Sequence, residues 1–340
     1  MQGSADEVLA LLRAWDAAPD GSGDAGPLVV ETSGSTGEPK RVVLSRSAMR
    51  ASADATHRRL GGPGQWLLTL PPTYVAGLQV LFRSVRAGTE PVAADADGLE
   101  AAAGLLTGSR RYVSVVPTQL RRCLEGTGST EALLGFDAVL VGGASLDPRL
   151  RQEAVAAGVT VVTTYGMSET CGGCVYDGSP LDDVDVATGT DGRVRLRGPV
   201  LFDGYEGRPD LTAEVLHDGW FLTADLGRLD PDGRLRVLGR ADDVVVSGGV
   251  NVPATAVARR VREHPAVQAA EVVGVEDDTW GSAVVAVVVG DVDRQELRDW
   301  VAAELARSWA PQRVVRVDAL PLLPNGKVDR LGVQQLARDA

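Results

Sequence analysis

Thr32-Ser33-Gly34-Ser35-Thr36-Gly37-Glu38-Pro39-Lys40 stands between two apolar runs, Leu28-Val29-Val30 and Val42-Val43-Leu44. A Gly/Ser/Thr/Pro cluster flanked in this way predicts a tight loop between two strands. Glycines let backbone N–H groups turn towards an anion, hydroxyls add donors, and the lysine adds charge. A polyphosphate suits such a loop. The G-x-x-x-x-G-K-[ST] phosphate loop is not matched, because Pro39 stands at the second glycine and Arg41 follows Lys40. Taken alone, the stretch is equally consistent with a solvated turn, so its meaning depends on what lies downstream.

The chain has 340 residues, 44% of them hydrophobic and 24% charged, with a net charge of −12. This predicts a soluble protein of one large domain and a smaller one. The negative balance argues against nucleic acid and anionic membrane surfaces as partners. No apolar stretch is long enough for an integral membrane span, and the first residues lack the basic and apolar parts of a signal peptide. Three cysteines do not make a disulfide framework, which makes the cytoplasm the expected compartment.

An amphipathic helix is expected over 5–16, followed by a linker at 21–27 and, after the loop, a serine-capped helix over 45–60. Strands at 66–70, 91–93, 112–116, 138–141 and 159–163 then alternate with helices at 75–86, 99–106, 117–124 and 147–157. Such alternation predicts an α/β layered domain with a mainly parallel sheet, whose ligands sit beyond the carboxyl ends of the strands. Past residue 190, short strands and turns predict a β-rich subdomain, and residues from 244 onward a compact α+β unit.

Chemistry concentrates at the predicted strand ends. Thr164-Tyr165-Gly166-Met167-Ser168-Glu169-Thr170 combines an aromatic, a glycine and a carboxylate, suited to stacking, close approach and Mg²⁺. Cys171-Gly172-Gly173-Cys174 is a C-x-x-C. A dithiol role needs the start of a helix and zinc needs two further ligands, so the expected alternative is a glycine-rich turn with thiols packed beside a pocket. Gly142-Gly143-Ala144 could admit a flat base, and Asp225, at an expected strand end, could accept two ribose hydroxyls. Lys40 and Lys327 are the only lysines among 34 basic residues, which hints that each supplies a compact charge.

Taken in order, the loop at 32–40, Tyr165 to Thr170, Asp225, Gly239-Arg240-Ala241-Asp242-Asp243 and Pro324-Asn325-Gly326-Lys327 resemble the acyl-adenylate-forming (AMP-binding) superfamily. The resemblance covers nearly the whole chain. Within it, Leu70 to Leu81, Arg83-Ser84 and Tyr165 to Gly178 look most like the o-succinylbenzoate–CoA ligases of menaquinone biosynthesis, in their short actinobacterial form. The resemblance implies an ATP- and acyl-binding domain over 1–241 and a mobile α+β domain over 242–340, with a hinge near Asp242.

It also implies roles. Thr32, Ser33, Gly34, Ser35, Thr36, Gly37 and Lys40 would hold the β- and γ-phosphates of ATP. Gly142, Gly143, Ala144, Thr164, Tyr165, Gly166 and Met167 would border adenine and acyl group. Thr36 and Glu169 would serve Mg²⁺, and Asp225 and Arg240 the ribose. Tyr74, Gly77, Arg83 and Gly172 would line the acyl site, with Arg83 the candidate partner of a second carboxylate and a surface position its alternative. Gly248 and Gly249 would line the path of coenzyme A. Lys327 would bridge substrate carboxylate and nucleotide. Departures from the family pattern are a reduced region before the loop, Tyr74 in place of a common histidine, and Ala224 in the usual T-G-D.

The implied reaction is carboxylate adenylation with pyrophosphate release, then thioester formation with coenzyme A. Competing expectations are another aryl- or acyl-CoA ligase, a dithiol redox protein using Cys171 and Cys174, and a non-catalytic nucleotide-binding module. A homo-oligomer is left open.

Overall fold

The computed structural model describes residues 3–19, 26–32, 39–94, 98–323 and 328–340. Helix α1 (Ala5–Ala17) starts at a capping box, in which Ser4 and Glu7 each accept from the other's backbone N–H. Its buried stripe is Val8, Leu9, Leu12 and Trp15. Strands β1 (Leu28–Thr32) and β2 (Lys40–Leu44) form an antiparallel pair with Thr32 opposite Lys40, so the loop between them is a strand connection, as its flanks predict. Helix α2 (Arg46–Arg59) is capped by the Ser45 hydroxyl.

The chain then alternates: β3 (Gln65–Leu68), α3 (Val75–Ala87), β4 (Val92–Ala93), α4 (Leu99–Ala103), β5 (Arg111–Val115), α5 (Pro117–Glu125), α6 (Thr127–Leu134), β6 (Ala138–Val141), α7 (Pro148–Ala156), β7 (Val161–Met167), β8 (Gly172–Tyr176) and β9 (Ser179–Pro180). They build a seven-stranded sheet in the order β4-β3-β5-β6-β7-β8-β9. Pairing is parallel from β4 through β7 and antiparallel for β7–β8 and β8–β9. Both faces of the central strands are covered, so β3, β5 and β6 are nearly continuous apolar runs. One core layer packs Leu67, Val113, Val139 and Val141 against Leu99, Leu120, Leu133 and Leu150 from the helices.

β10 (Asp185–Thr188), β11 (Arg193–Arg197), β12 (Gly204–Tyr205), α8 (Pro209–Val215), β13 (Leu216–His217), β14 (Trp220–Leu229) and β15 (Leu235–Arg240) follow. β12 pairs with β2, while β10-β11-β14-β13 form a second sheet with β15 on β14. After β16 (Val244–Ser247) and β17 (Val250–Pro253) come α9 (Ala254–Arg262), β18 (Val267–Asp277), β19 (Gly281–Gly290), α10 (Arg294–Ala302), β20 (Arg313–Arg316) and α11 (Arg330–Asp339). The sheet β18-β19-β20 buries Val272, Val284, Ala286 and Val288 with residues of α9 and α10, and Val273, Val275, Val285 and Val287 with residues of α11. Alternate side chains take opposite faces, so a run such as Ala283 to Val288 serves two cores at once.

The chain forms two compact units: Met1–Ala187 with Arg195–Thr223 and Leu229–Leu235, and Arg236–Ala340 with Thr188–Val194 and Ala224–Arg228. The boundary between these two units passes through strands β11, β14 and β15. Two local expectations need correction. β7 does not end at Thr163 but runs to Met167, because β8 pairs with it across Thr164 to Met167. Gly166 permits this: a Cβ there would lie 2.0 Å from the Gly172 carbonyl oxygen. Asp225 does not end a strand, since β14 continues to Leu229 and its alternation turns Asp225 to the buried face with Phe221 and Thr223.

Candidate active site

In the first unit, β2 brings Lys40 beside β12, and β12 carries Tyr205. The Tyr205 hydroxyl donates to Glu169 Oε1 at 2.7 Å, and the Lys40 ammonium lies 5.3 Å from the Tyr205 ring centroid. Thr32 Oγ1 donates to the Lys40 carbonyl at 3.5 Å, across the base of the loop. Glu169 sits in a 3-10 turn, Ser168–Thr170, and its carbonyl accepts from Phe202 N at 2.9 Å. Burial and then Glu169 push the Tyr205 hydroxyl well above its usual range, so it stays a protonated donor. Thr32, Lys40 and Glu169 are thus joined through Tyr205, which local sequence patterns do not single out. Ser33, Gly34, Ser35, Thr36, Gly37 and Lys327 lie outside the described residues.

Among the described residues no group of three or more His, Cys, Asp or Glu could hold a metal. Mg²⁺ does not need one, since it is held by one or two carboxylates completed by water and substrate phosphates. A Glu169 carboxylate oriented through one oxygen fits that demand. The segment after β6 places Gly142, Gly143 and Ala144 at the carboxyl end of a parallel strand, where ligands of such sheets bind. Gly143 takes φ +78°. The space a Cβ would need at Gly142 is filled by Thr164 Oγ1, 2.2 Å away, so this glycine lets β6 and β7 approach each other. Thr164, Tyr165, Gly166 and Met167 are half-buried within β7.

The candidate acyl residues stand on α3 and β8. Tyr74 is the N-cap residue of α3, and Gly77 packs so closely on the preceding turn that a Cβ would be 2.2 Å from the Pro71 carbonyl oxygen. Gly172, at φ +96°, faces Gln79, whose Cγ would lie 3.3 Å from an added Cβ. Arg83 is not a surface residue. It is 4% exposed, with Nη2 3.4 Å from the Tyr176 hydroxyl and the guanidinium 5.1 Å from the Trp66 ring centroid. Burial pulls its pKa down. No carboxylate among the described residues pairs with it. The buried side-chain atoms left without a partner there are Arg83 Nε, His57 Nε2, Gln79 Oε1 and Trp66 Nε1. Gln79 lies one helical turn before Arg83, and Arg83 acts electrostatically on His57. Burial and Arg83 hold the His57 imidazole down at about 4. Arg83 is thus a buried cation with an unused N–H, and three other buried polar atoms among the described residues share that lack of a partner. Only Arg83 of these four is legible from sequence, as the lone charge in an apolar helix face.

In the second unit, the Asp225 carboxylate lies 3.8 Å from Arg240 Nη1, so the two expected ribose residues are brought together. Gly248 and Gly249 take φ +56° and +77° between β16 and β17. Gly248 N donates to the Trp280 carbonyl at 2.9 Å, and its missing Cβ leaves room for the Trp280 ring, 2.8 Å from that position. Trp280 is exposed and was not singled out by the sequence. Asp242 lies in the 3-10 turn Ala241–Asp243.

The C-x-x-C does not resemble a dithiol site. Cys171 takes φ +50° after the 3-10 turn and Cys174 lies inside β8, so the expected turn is mostly strand and no helix starts there. Both are fully buried free thiols. Burial pushes Cys171 far up and Cys174 up to about 12, which leaves neither as a thiolate at neutral pH.

The AMP-binding enzyme family model matches residues 28–206, and the model of the AMP-binding enzyme C-terminal domain matches residues 257–327. A Mycobacterium tuberculosis protein named "Probable 2-succinylbenzoate--CoA ligase" is 46% identical over 329 residues, spanning 92% of this chain and 85% of that protein. A Bacillus cereus 2-succinylbenzoate–CoA ligase is 33% identical over 339 residues, spanning 92% and 70%. The solved o-succinylbenzoate CoA synthetase of Bacillus subtilis, in complex with its acyl-adenylate intermediate, superposes with a TM-score of 0.78 at 29% identity, covering 90% of this chain and 68% of that one. The same enzyme with ATP and a magnesium ion gives 0.76 at 29% identity, covering 88% and 68%. The chain belongs to the AMP-binding enzyme family.

Proposed function

We propose that the chain is an ATP-dependent o-succinylbenzoate–CoA ligase. The observation that carries this assignment is the 46% identity, across 92% of the chain, to a relative of that name. The buried, acid-free Arg83 supports it, because o-succinylbenzoate keeps a second carboxylate after the first is activated. A buried cation with an unused N–H suits that group, as charge-assisted hydrogen bonds are the strong ones.

In the first half-reaction a substrate carboxylate attacks the α-phosphate of ATP, giving acyl-AMP and pyrophosphate. The nucleophile is already an anion, so the protein supplies position and charge stabilisation and needs no general base. Thr32 to Gly37 and Lys40 hold the departing phosphates. Glu169, kept in orientation by Tyr205, and Thr36 hold Mg²⁺, which supplies charge neutralisation on the phosphates. Gly142 to Ala144 and Thr164 to Met167 border the adenine and acyl groups, with Tyr74, Gly77 and Gly172 on the acyl side. Asp225 and Arg240 hold the ribose, and Lys327 stabilises the reacting carboxylate and phosphate. In the second half-reaction the domain beginning at 242 turns about Asp242. Lys327 withdraws, and the thiol of coenzyme A passes Gly248 and Gly249 to displace AMP.

The work is that of an enzyme on small molecules in the cytoplasm. Among the described residues no helix is long and apolar enough to cross a membrane. The deciding experiment is pyrophosphate release with ATP, Mg²⁺ and o-succinylbenzoate, with and without coenzyme A. Release that depends on o-succinylbenzoate and is followed by its CoA thioester is expected. Release with other aryl acids but not with this one would reassign the substrate, and none with any acid would refute the assignment.

A further inference from the structure

Lys327 is a single charge on a long side chain, and its effect on adenylation depends on where its stretch of chain is anchored. The described flanks of that stretch are tied down on both sides. Leu322 and Val328 form an isolated antiparallel bridge, and Asp329 N donates to the Pro321 carbonyl at 2.8 Å. Asp329 Oδ1 then caps α11, accepting from Leu331 N and Gly332 N at 3.1 and 3.2 Å. Arg330, three residues after Lys327, reaches back 87 residues: its Nη1 donates to Asp243 Oδ2 at 2.7 Å. The Asp243 side chain is 14% exposed, and the same oxygen lies 3.4 Å from Thr255 Oγ1. Asp243 follows Asp242 directly and ends the same 3-10 turn.

We propose that Arg330 and Asp243 are a positioning pair that fastens the Lys327 segment to the turn at the hinge. This rests on the ligase assignment and on the role it gives Lys327. Rotation at Asp242 then carries Asp243 and Arg330 together, and with them the described flanks on either side of the Lys327 stretch. The Arg330 side chain is 41% exposed, so the hold comes from the short charge-assisted bond to a carboxylate that is itself only 14% exposed and fixed by Thr255. The pair itself makes and breaks no bond. The carboxylate oxygen bonds to the α-phosphorus, the bond to the bridging oxygen breaks, and pyrophosphate leaves with that electron pair.

The experiment compares Arg330→Ala, Arg330→Lys and Asp243→Asn in the full chain, measuring each half-reaction separately. A group misplaced by about 1 Å costs up to roughly 100-fold in rate, so Arg330→Ala and Asp243→Asn are expected to slow pyrophosphate release about 10- to 100-fold through kcat. Thioester formation from supplied acyl-adenylate and coenzyme A stays within about 2-fold, which also shows that the variants fold; Arg330→Lys recovers part of the loss. Because the pair acts through Lys327, adding Arg330→Ala to Lys327→Ala costs nothing further. An Arg330→Ala chain that adenylates like wild type, one that loses both half-reactions equally, or an additive double variant overturns the proposal. A wild-type chain that releases no pyrophosphate overturns the ligase assignment instead, and this role with it.

Discussion

Glu169 has a donor in place before any nucleotide arrives, since the Tyr205 hydroxyl already holds its Oε1. A hydrogen bond to a charged group is worth about 1.5–3 kcal/mol, so Tyr205→Phe is expected to weaken the Mg²⁺ dependence of pyrophosphate release and lower its kcat/KM about 10- to 100-fold. Unchanged magnesium titrations would show that Glu169 does not depend on Tyr205. For Arg83→Ala, loss of a buried charge partner predicts about 2 kcal/mol or more in kcat/KM for o-succinylbenzoate, with no comparable loss for an aryl acid lacking the second carboxylate. Beside it, His57 is neutral in the folded chain and titrates at about 4, against an ordinary value of 6.5. The unfolded chain therefore binds the extra proton first as pH falls. The stability His57 contributes is whole above about 6.5 and is lost between there and about 4, up to about 3 kcal/mol. In urea titrations from pH 7 to 4, the wild type is expected to lose more than His57→Gln; parallel curves would refute this. Tyr205 and His57 show why single residues of the site escaped the sequence. The first meets Glu169 through strand pairing between β12 and β2, and the second matters because burial, and after it the charge of Arg83, keeps its imidazole neutral. Neither relation leaves a local pattern, whereas Lys40, Glu169 and Asp225 sit in short stretches whose composition is already unusual.

At the scale of elements, legibility followed capping and periodicity. Helices α1, α2 and α11 begin at Ser4, Ser45 and Asp329, polar residues placed ahead of amphipathic runs. Helix α6 was missed because Gly126-Thr127-Gly128-Ser129-Thr130 carries loop composition, and tertiary packing of Leu133 outweighs it. The strand β8 was read as a turn because glycines usually break strands, yet here they let β7 and β8 come close. That account can be tested. A methyl group at 166 would sit 2.0 Å from backbone, and overpacking costs about 1–3 kcal/mol or more. Gly166→Ala should therefore lower the urea midpoint by that amount, and a variant as stable as wild type would mean the glycine is required for something else. Asp329→Ala removes the two N-terminal hydrogen bonds of α11 and is expected to cost about 0.5–2 kcal/mol.

For the whole molecule, the central prediction is a separation of the two half-reactions. Lys327→Ala should lose adenylation by roughly 10²–10³ and still transfer a supplied acyl-adenylate to coenzyme A. Equal loss of both would remove Lys327 from its assigned role. The layered domain followed by a smaller α+β unit was legible as a whole because alternation of strand and helix survives errors at any one boundary. That residues 188–194 and 224–228 cluster with the second unit was not, since sequence order hides such long-range association. One further consequence comes from the cysteines. All three, Cys123, Cys171 and Cys174, are buried free thiols, and all belong to the first unit. The second unit contains none. An aromatic disulfide reagent should therefore colour only as the first unit opens, a stopwatch for that half of the chain, while in a chain whose Trp15, Trp66 and Trp220 are replaced by phenylalanine the remaining Trp280, Trp300 and Trp309 report from the other. If the two signals run together under denaturant, the units unfold as one; if the tryptophans lead, the smaller unit comes apart while the larger still keeps its thiols closed.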